Sequence, residues 1–262
     1  MSKQVEVRYS VEAGVATVCI DRGERRNALN WNAVEQLCRA FIKASTDDQV
    51  RVAMLTGSGD RAFSAGGDMT DMSGAERRDD GGAPPFAKLL SIMHSFPKPI
   101  LGRINGDALG GGFGLVLACD VAIAAEHARF GTPEVKLGMF PWMIMPLLSA
   151  HVGPKKLAEL ALCGHKLDAH QALSMGLINM NVPLEELDAT CQKWLRSLSK
   201  ACPPVMARAM VNLRHKRYHN LPAVLAEQQD HFLWNLQQPE LLEGVAAFLQ
   251  KREPNWVLST SE

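Results

Sequence analysis

The sequence predicts an α/β protein: strands alternating with helices, followed by a purely helical C-terminal stretch. Three observations support this. Short β-branched runs recur as far as residue 182 and then stop. Apolar residues at helical spacing lie between those runs and continue alone after them. Glycine and proline clusters punctuate the boundaries. The 262 residues suit one large domain, or one with a small appendage. We read residues 1–180 as the core and residues 181–262 as the helical region, with no flexible linker between them.

Residues 5–10 and 15–20 read as two strands of a hairpin turned at Gly14. Asn30 caps a helix over residues 31–44, with Val34, Leu37, Phe41 and Ile42 on one face. Residues 52–56 form a buried strand closed by Gly57-Ser58-Gly59-Asp60. The polar stretch at 71–85 reads as a mobile loop. A helix over 88–96 ends at Pro97 and Pro99, and a strand follows at 100–104. A helix starts within Gly110-Gly111-Gly112 and runs to Cys119. Strands are expected at 121–124 and 129–131. Helices then cover 155–163 and 168–175, and residues 178–182 form a last strand. Leu184, Leu187, Cys191, Trp194 and Leu198 repeat at helical spacing. Pro203-Pro204 precedes a helix over 205–213. Prolines open the last two helices, at 222–236 and 239–251, as suits a first turn. No internal repeat is visible.

Composition narrows the function. Lys and Arg total 28 and Asp and Glu total 28, which argues against a broad nucleic-acid surface. Residues 1–10 lack the apolar run of a secretory signal. The most apolar stretch, 137–150, is broken by Pro141 and Pro146 and is too short to span a bilayer, so no membrane partner is expected. Six scattered cysteines without a Cys-x-x-Cys pair point to a reducing cytoplasm and to use as small core residues.

The chemistry concentrates in two glycine-rich turns and one carboxylate. Ser64-Ala65-Gly66-Gly67-Asp68 and the run from Gly106 to Gly112 leave backbone N–H groups uncovered, and Glu134 follows. Each turn alone reads as tight backbone geometry. Two facing turns could aim two N–H groups at one oxygen, as an oxyanion hole does. The second turn adds the exposed donors of a helix start. Glu134 alone could also be a surface partner of Lys136. His215 and His219 share a helix face, but Arg214, Lys216 and Arg217 surround them, so no metal is expected there. No nucleophile elbow, phosphate loop or dinucleotide fingerprint occurs.

These motifs, in this order, resemble the crotonase (enoyl-CoA hydratase/isomerase) superfamily over nearly the whole chain. Arg26-Asn27-Ala28-Leu29-Asn30 is similar to its first acyl-CoA contact segment. Ser64 to Asp68 resembles its first oxyanion turn, and Asn105 to Gly112 with Ala118-Cys119-Asp120 its second. Phe130-Gly131-Thr132-Pro133-Glu134 through Gly138 resembles its catalytic-glutamate segment. Ala247-Phe248-Leu249-Gln250-Lys251-Arg252 resembles its closing segment.

The resemblance implies a crotonase-like ββα spiral with a helical C-terminal trimerisation region, assembled as a homotrimer or homohexamer. It implies the N–H groups of Gly67 and Gly111 as oxyanion donors and Glu134 as the proton-transfer group. It places Arg26, Ala28, Ala65, Gly66, Asp68, Met69 and Gly110 along the acyl-CoA, and Phe248 and Lys251 where a tail helix meets it. No metal or separate cofactor is implied, coenzyme A being part of the substrate. Two departures stand out. The family's first glutamate, two residues after the glycine triplet, is Gly114 here. After Gly138 the chain carries Met139-Phe140-Pro141-Trp142-Met143-Ile144-Met145-Pro146, bulky residues expected to reshape an acyl pocket, with Trp142 on its wall. Phe130, Val135, Leu137, Met139, Phe140 and Trp142 are expected to wall Glu134 and raise its pKa. The expected activity is an enoyl-CoA hydratase-like lyase. The alternatives are a Δ3,Δ2-enoyl-CoA isomerase using Glu134 alone and a non-catalytic acyl-CoA-binding protein.

Overall fold

A computed structural model describes residues 4–69 and 85–257; the expected polar loop, apart from Pro85, lies outside the described residues. Two sheets organise the core. The larger has six strands in the order β1 (Val7–Glu12), β2 (Val15–Ile20), β3 (Val52–Gly57), β5 (Ile100–Ile104), β7 (Val121–Ala125) and β10 (Met180–Val182). The smaller has the order β4 (Ala62–Ser64), β6 (Asp107–Leu109), β8 (Arg129–Gly131) and β9 (Lys166–Asp168).

Chain order and sheet order interlock. The β1–β2 hairpin is antiparallel, turning at Ala13 and Gly14, both at positive φ. From β2 to β10 every pairing in the large sheet is parallel. In the small sheet β4–β6 and β6–β8 are parallel and β9 closes antiparallel on β8. The chain therefore lays one strand in the large sheet, one in the small sheet, then crosses by a helix, and repeats. This is a ββα spiral, as the resemblance implied. The repeat is invisible in the sequence because it is made by backbone pairing, not by recurring side chains. The three-residue strands β4, β6 and β9 are likewise absent from the sequence reading: they are too short to show a period-two pattern.

Helix α1 (Trp31–Thr46) starts where Asn30 caps it, its side chain accepting from the Ala33 N–H at 2.7 Å. Val34, Leu37 and Phe41 are buried as the spacing predicts, but Ile42 is exposed, since it lies at the edge of the buried stripe. Helix α2 (Pro85–Ser95) begins at Pro85, three residues before the expected start. Both helices pack in the main core. Helix α3 (Gly111–Ala118) is buried from Gly112 onward, the pattern of a helix enclosed on all sides. Helices α4 (Met145–Ser149), α5 (Pro154–Cys163) and α6 (Ala169–Ser174) follow. On the other face of the large sheet, Leu187, Cys191 and Leu195 of α7 (Leu184–Ser199) cover Val52, Leu101 and Ile123. Four of the six cysteines are buried.

The last helices are α8 (Pro203–Arg217), α9 (Leu221–Asn235) and α10 (Pro239–Gln250). Arg214 ties α8 to the core and is 1% exposed. Its guanidinium donates to both carboxylate oxygens of Asp120 (2.9 and 2.5 Å), to the Lys98 carbonyl (2.8 Å) and to the Phe96 carbonyl. Asp120 also accepts the Ile100 N–H at 2.8 Å. Breaking a buried pair strands a charge, at a cost of about 3–5 kcal/mol. Arg214→Met should therefore lower the unfolding free energy by about that amount in urea denaturation. A loss below about 1 kcal/mol would show that the pair is not holding α8.

Candidate active site

Three parallel strands of the small sheet bring the predicted groups together. Ser64 of β4 pairs with Ala108 of β6, and Leu109 of β6 pairs with Gly131 of β8. The C-terminal ends of the three strands are thus neighbours. The first turn leaves β4, the second leaves β6, and the Glu134 segment leaves β8. The two turns are in contact: a Cβ on Gly66 would lie 3.4 Å from the Gly111 nitrogen and 2.8 Å from the Leu109 carbonyl oxygen. Gly66 (φ +92°) and Gly110 (φ +53°) both need backbone conformations that side chains resist.

The first turn is held from outside by residues 26–30. The Leu29 N–H donates to the Gly66 carbonyl (2.7 Å), and the Asp68 N–H donates to the Leu29 carbonyl (3.0 Å). Leu29 is thereby bridged to Gly67 as in a parallel ladder. In such a ladder the polar groups of Gly67 itself face the opposite side. The Ala65 N–H donates to the Arg26 carbonyl at 3.0 Å. Gly111 is the first residue of α3, so its N–H belongs to the unpaired first turn of the helix. Among the described residues neither the Gly67 nor the Gly111 N–H meets a protein acceptor, and both glycines are partly exposed while Gly66 and Gly110 are buried.

Glu134 lies in the 3-10 turn Pro133–Leu137. Its Oε1 stands 2.8 Å from where a Cβ of Gly110 would be, so a side chain at 110 would push the carboxylate from this position. Its Oε2 is shut off from solvent and, among the described residues, has no hydrogen-bond partner. Burial pushes its pKa up to about 7, and a backbone hydrogen bond pulls weakly the other way. The alternative reading as a partner of Lys136 fails: among the described residues no ion pair joins them, and Lys136 is exposed. A poised, buried carboxyl beside two sets of free amides can exchange a proton with a molecule held there.

The other predicted residues are placed as follows. Arg26 is exposed and, like Asn27, lies in the left-handed region, with Ala28 beside it. The Asp68 carboxylate forms a buried pair with Arg22 (2.9 Å), which also pairs with Glu6 (3.0 Å) and donates to the Ala28 carbonyl. Met69 packs against Met139, Leu241 and Val245, linking the first turn to α10. Trp142 faces α9: its ring stacks on His231 (centroids 4.7 Å apart, planes 21° apart) and its Nε1–H donates to Asn235. Phe248 (60% exposed) and Lys251 stand at the exposed C-terminal end of α10.

Arg22 and Phe86 escaped the sequence reading, and Asn27 and Ile144 stand in it only as members of their segments. Arg22 clamps the first turn through Asp68, and Asn27 holds the strand before it, its Nδ2 donating to the Ala62 carbonyl at 2.7 Å. Phe86 and Ile144 wall the space beside Gly114, where an added Cβ would meet their atoms at 3.5 and 3.3 Å. The family's first carboxylate is thus absent, and apolar groups border its place. An Arg among surface-type residues carries no local mark of burial, and Phe86 lies too far along the chain from Gly114 for spacing to connect them. Among the described residues no cluster of His, Cys, Asp and Glu could hold a metal ion, and no helix is long and apolar enough to cross a membrane.

Gly110→Ala should strain the backbone, at about 1–3 kcal/mol, and displace the Glu134 carboxylate. Denaturant unfolding together with activity should register both losses; a variant with wild-type stability and turnover would refute this geometry. Glu134 also links stability to pH. The folded carboxyl holds its proton to about pH 7, against an ordinary 4.5. Between those values the native state binds more protons, so stability falls as pH rises through that window and stays reduced above it. Glu134→Gln removes the penalty. It should stabilise the protein at pH 8 by something on the order of 3 kcal/mol and change little at pH 4, as measured by thermal unfolding at the two pH values.

Comparison with known proteins identifies the family and the fold. A family model described as enoyl-CoA hydratase/isomerase matches residues 10–258. An enoyl-CoA hydratase from Mycobacterium avium subsp. paratuberculosis K-10 superposes with a TM-score of 0.87 at 27% identity, covering 97% of this chain and 99% of that one. An enoyl-CoA hydratase/isomerase from Pseudoalteromonas atlantica T6c gives 0.88 at 29% identity, with 97% and 100% covered. A carnitinyl-CoA hydratase from Mycobacterium avium gives 0.85 at 28% identity, with 97% and 99% covered. With the paired turns and the buried carboxyl at one end of the small sheet, and a family match spanning almost its full length, this chain belongs to the enoyl-CoA hydratase/isomerase family, the crotonase superfamily.

Proposed function

We propose that the protein is an enoyl-CoA hydratase-like lyase whose proton chemistry rests on one carboxylate. The observation that carries this is the contact of Glu134 with Gly110, the residue just before a free helix-start amide and against the first turn. The thioester oxygen of a 2-enoyl-CoA takes hydrogen bonds from the Gly67 and Gly111 N–H groups. Glu134 accepts a proton from water as the water oxygen bonds to the β-carbon. The alkene electron pair shifts into the bond between the α-carbon and the carbonyl carbon as the carbonyl pair moves onto oxygen, giving an enolate held by the two amides. Glu134 then returns a proton to the α-carbon. Each donor of such a pair is typically worth about 2.7–4 kcal/mol of barrier.

Coenzyme A runs along Arg26, Ala28, Ala65 and Asp68 in this reading. Asp68 contributes through its backbone, since Arg22 holds its carboxylate. Met69, on its cluster with Met139, sits toward the acyl group, while Trp142, expected on that wall, is engaged with α9. Exposed Phe248 and Leu249 on α10, with Val205 and Val211 on α8, support burial against other copies in a homotrimer or homohexamer, which would carry Phe248 and Lys251 to a coenzyme A. A specific observation favours a second reading, double-bond isomerisation. Phe86 and Ile144 border the place of the missing carboxylate, so a proton shuttled by Glu134 between carbons needs no water there.

Incubation with 2-enoyl-CoA and 3-enoyl-CoA in heavy-oxygen water separates the readings. Oxygen label on the β-carbon is the expected result. Migration of the double bond without label would establish isomerisation, and saturable binding without either product would leave a binding protein. Glu134→Gln should lower kcat by about 10²–10⁴-fold. Because the carboxylate is the working form, kcat/KM should rise with pH through about 7.

A further inference from the structure

We infer that Asn235, at the end of α9, is a positioning residue for Glu134 that acts through the backbone of residues 138–142; this rests on the assignment of Glu134 as the proton-transfer group. The turn bearing Glu134 closes at Gly138, which is left-handed at φ +70°. The Gly138 and Met139 N–H groups both donate to the Glu134 carbonyl, the latter at 3.1 Å. Whatever fixes Gly138 therefore fixes the peptide that carries the catalytic side chain.

Asn235 does this from another part of the chain. Its Nδ2 donates to the Gly138 carbonyl at 2.9 Å. Its Oδ1 accepts from the Phe140 N–H at 3.0 Å and from the Trp142 Nε1–H at 3.2 Å. The partners fix the amide's orientation: a flipped side chain would set donors against donors. Asn235 is 4% exposed. Burying an amide is unfavourable unless its groups are paired, and an apolar residue would cover the turn equally well without that cost. An amide with three bonds, all to the segment just after Glu134, serves orientation more than cohesion.

Helix α10 also meets the end of the turn. A Cβ on Gly244 of α10 would come within 2.4 Å of the Leu137 backbone, so α10 lies directly against the end of the turn. Gly244 and Asn235 thus both bear on the Leu137–Gly138 end of the turn. A displacement of about 1 Å in a reacting group can cost roughly a hundredfold in rate.

The test compares wild type, Glu134→Gln, Asn235→Ala and Asn235→Asp on whichever enoyl-CoA isomer the protein converts, with folded fraction measured by circular dichroism at the assay temperature. Asn235→Ala should lower kcat by about 10–100-fold and leave KM within about twofold. Asn235→Asp keeps both acceptor bonds but not the donor to Gly138, and should fall between Asn235→Ala and wild type; if the alanine variant does not fold, the aspartate variant decides by the same split. A kcat loss that only tracks the folded fraction, a change confined to KM, or a fully active aspartate variant would overturn the inference. Full turnover by Glu134→Gln would remove the Glu134 assignment and this inference with it. An inactive Glu134→Gln beside a fully active Asn235→Ala would remove this inference alone.

Discussion

Parallel pairing of three very short strands is the constraint on which the site depends. β4, β6 and β8 contribute three residues each, too few to form a stable sheet alone. Their strand partners in the large sheet, linked to them by a few residues, hold them in register. Because the pairing is parallel, every strand ends on the same side, and the groups that follow each one meet there. Antiparallel pairing would have sent the middle turn to the opposite end. The site is a consequence of strand direction before it is a consequence of side chains.

The glycines are what that meeting requires. At Gly66 and Gly110 the backbones of two turns and a carboxylate approach within a methyl group of one another. A side chain at either position would occupy the space in which the turns touch. The result is a polar spot lined by main-chain amides, with the Glu134 carboxyl shielded from water. That shielding raises the Glu134 pKa and makes its ionised form costly to the fold. The same burial that readies the carboxyl for proton transfer thus weakens the native state at neutral pH, a conflict usual at functional sites.

The helical C-terminal region acts on the core in two distinct ways. Arg214 anchors α8 by a buried charge pair with Asp120. Beyond it, α9 and α10 close on the turn that carries Glu134, by a buried amide and by a glycine contact. The bulky run after Gly138, expected to shape an acyl pocket, is partly occupied with α9 through Trp142, His231 and Asn235.

Much of this was legible from residue order. The α/β core, the Asn30 cap, the α7 spacing and the two glycine turns follow from local chemistry, because caps, turns and amphipathic faces are decided within a few residues. Motif order identified the family and singled out Glu134. Tertiary structure alone decided the rest. The small sheet, the contact of Gly66 with Gly111, the Arg22–Asp68 pair, the apolar border at Gly114 and the Asn235 bracket all join residues distant in the chain. Such contacts leave no periodic or local trace in a sequence, since they depend on which strands lie side by side and in which direction.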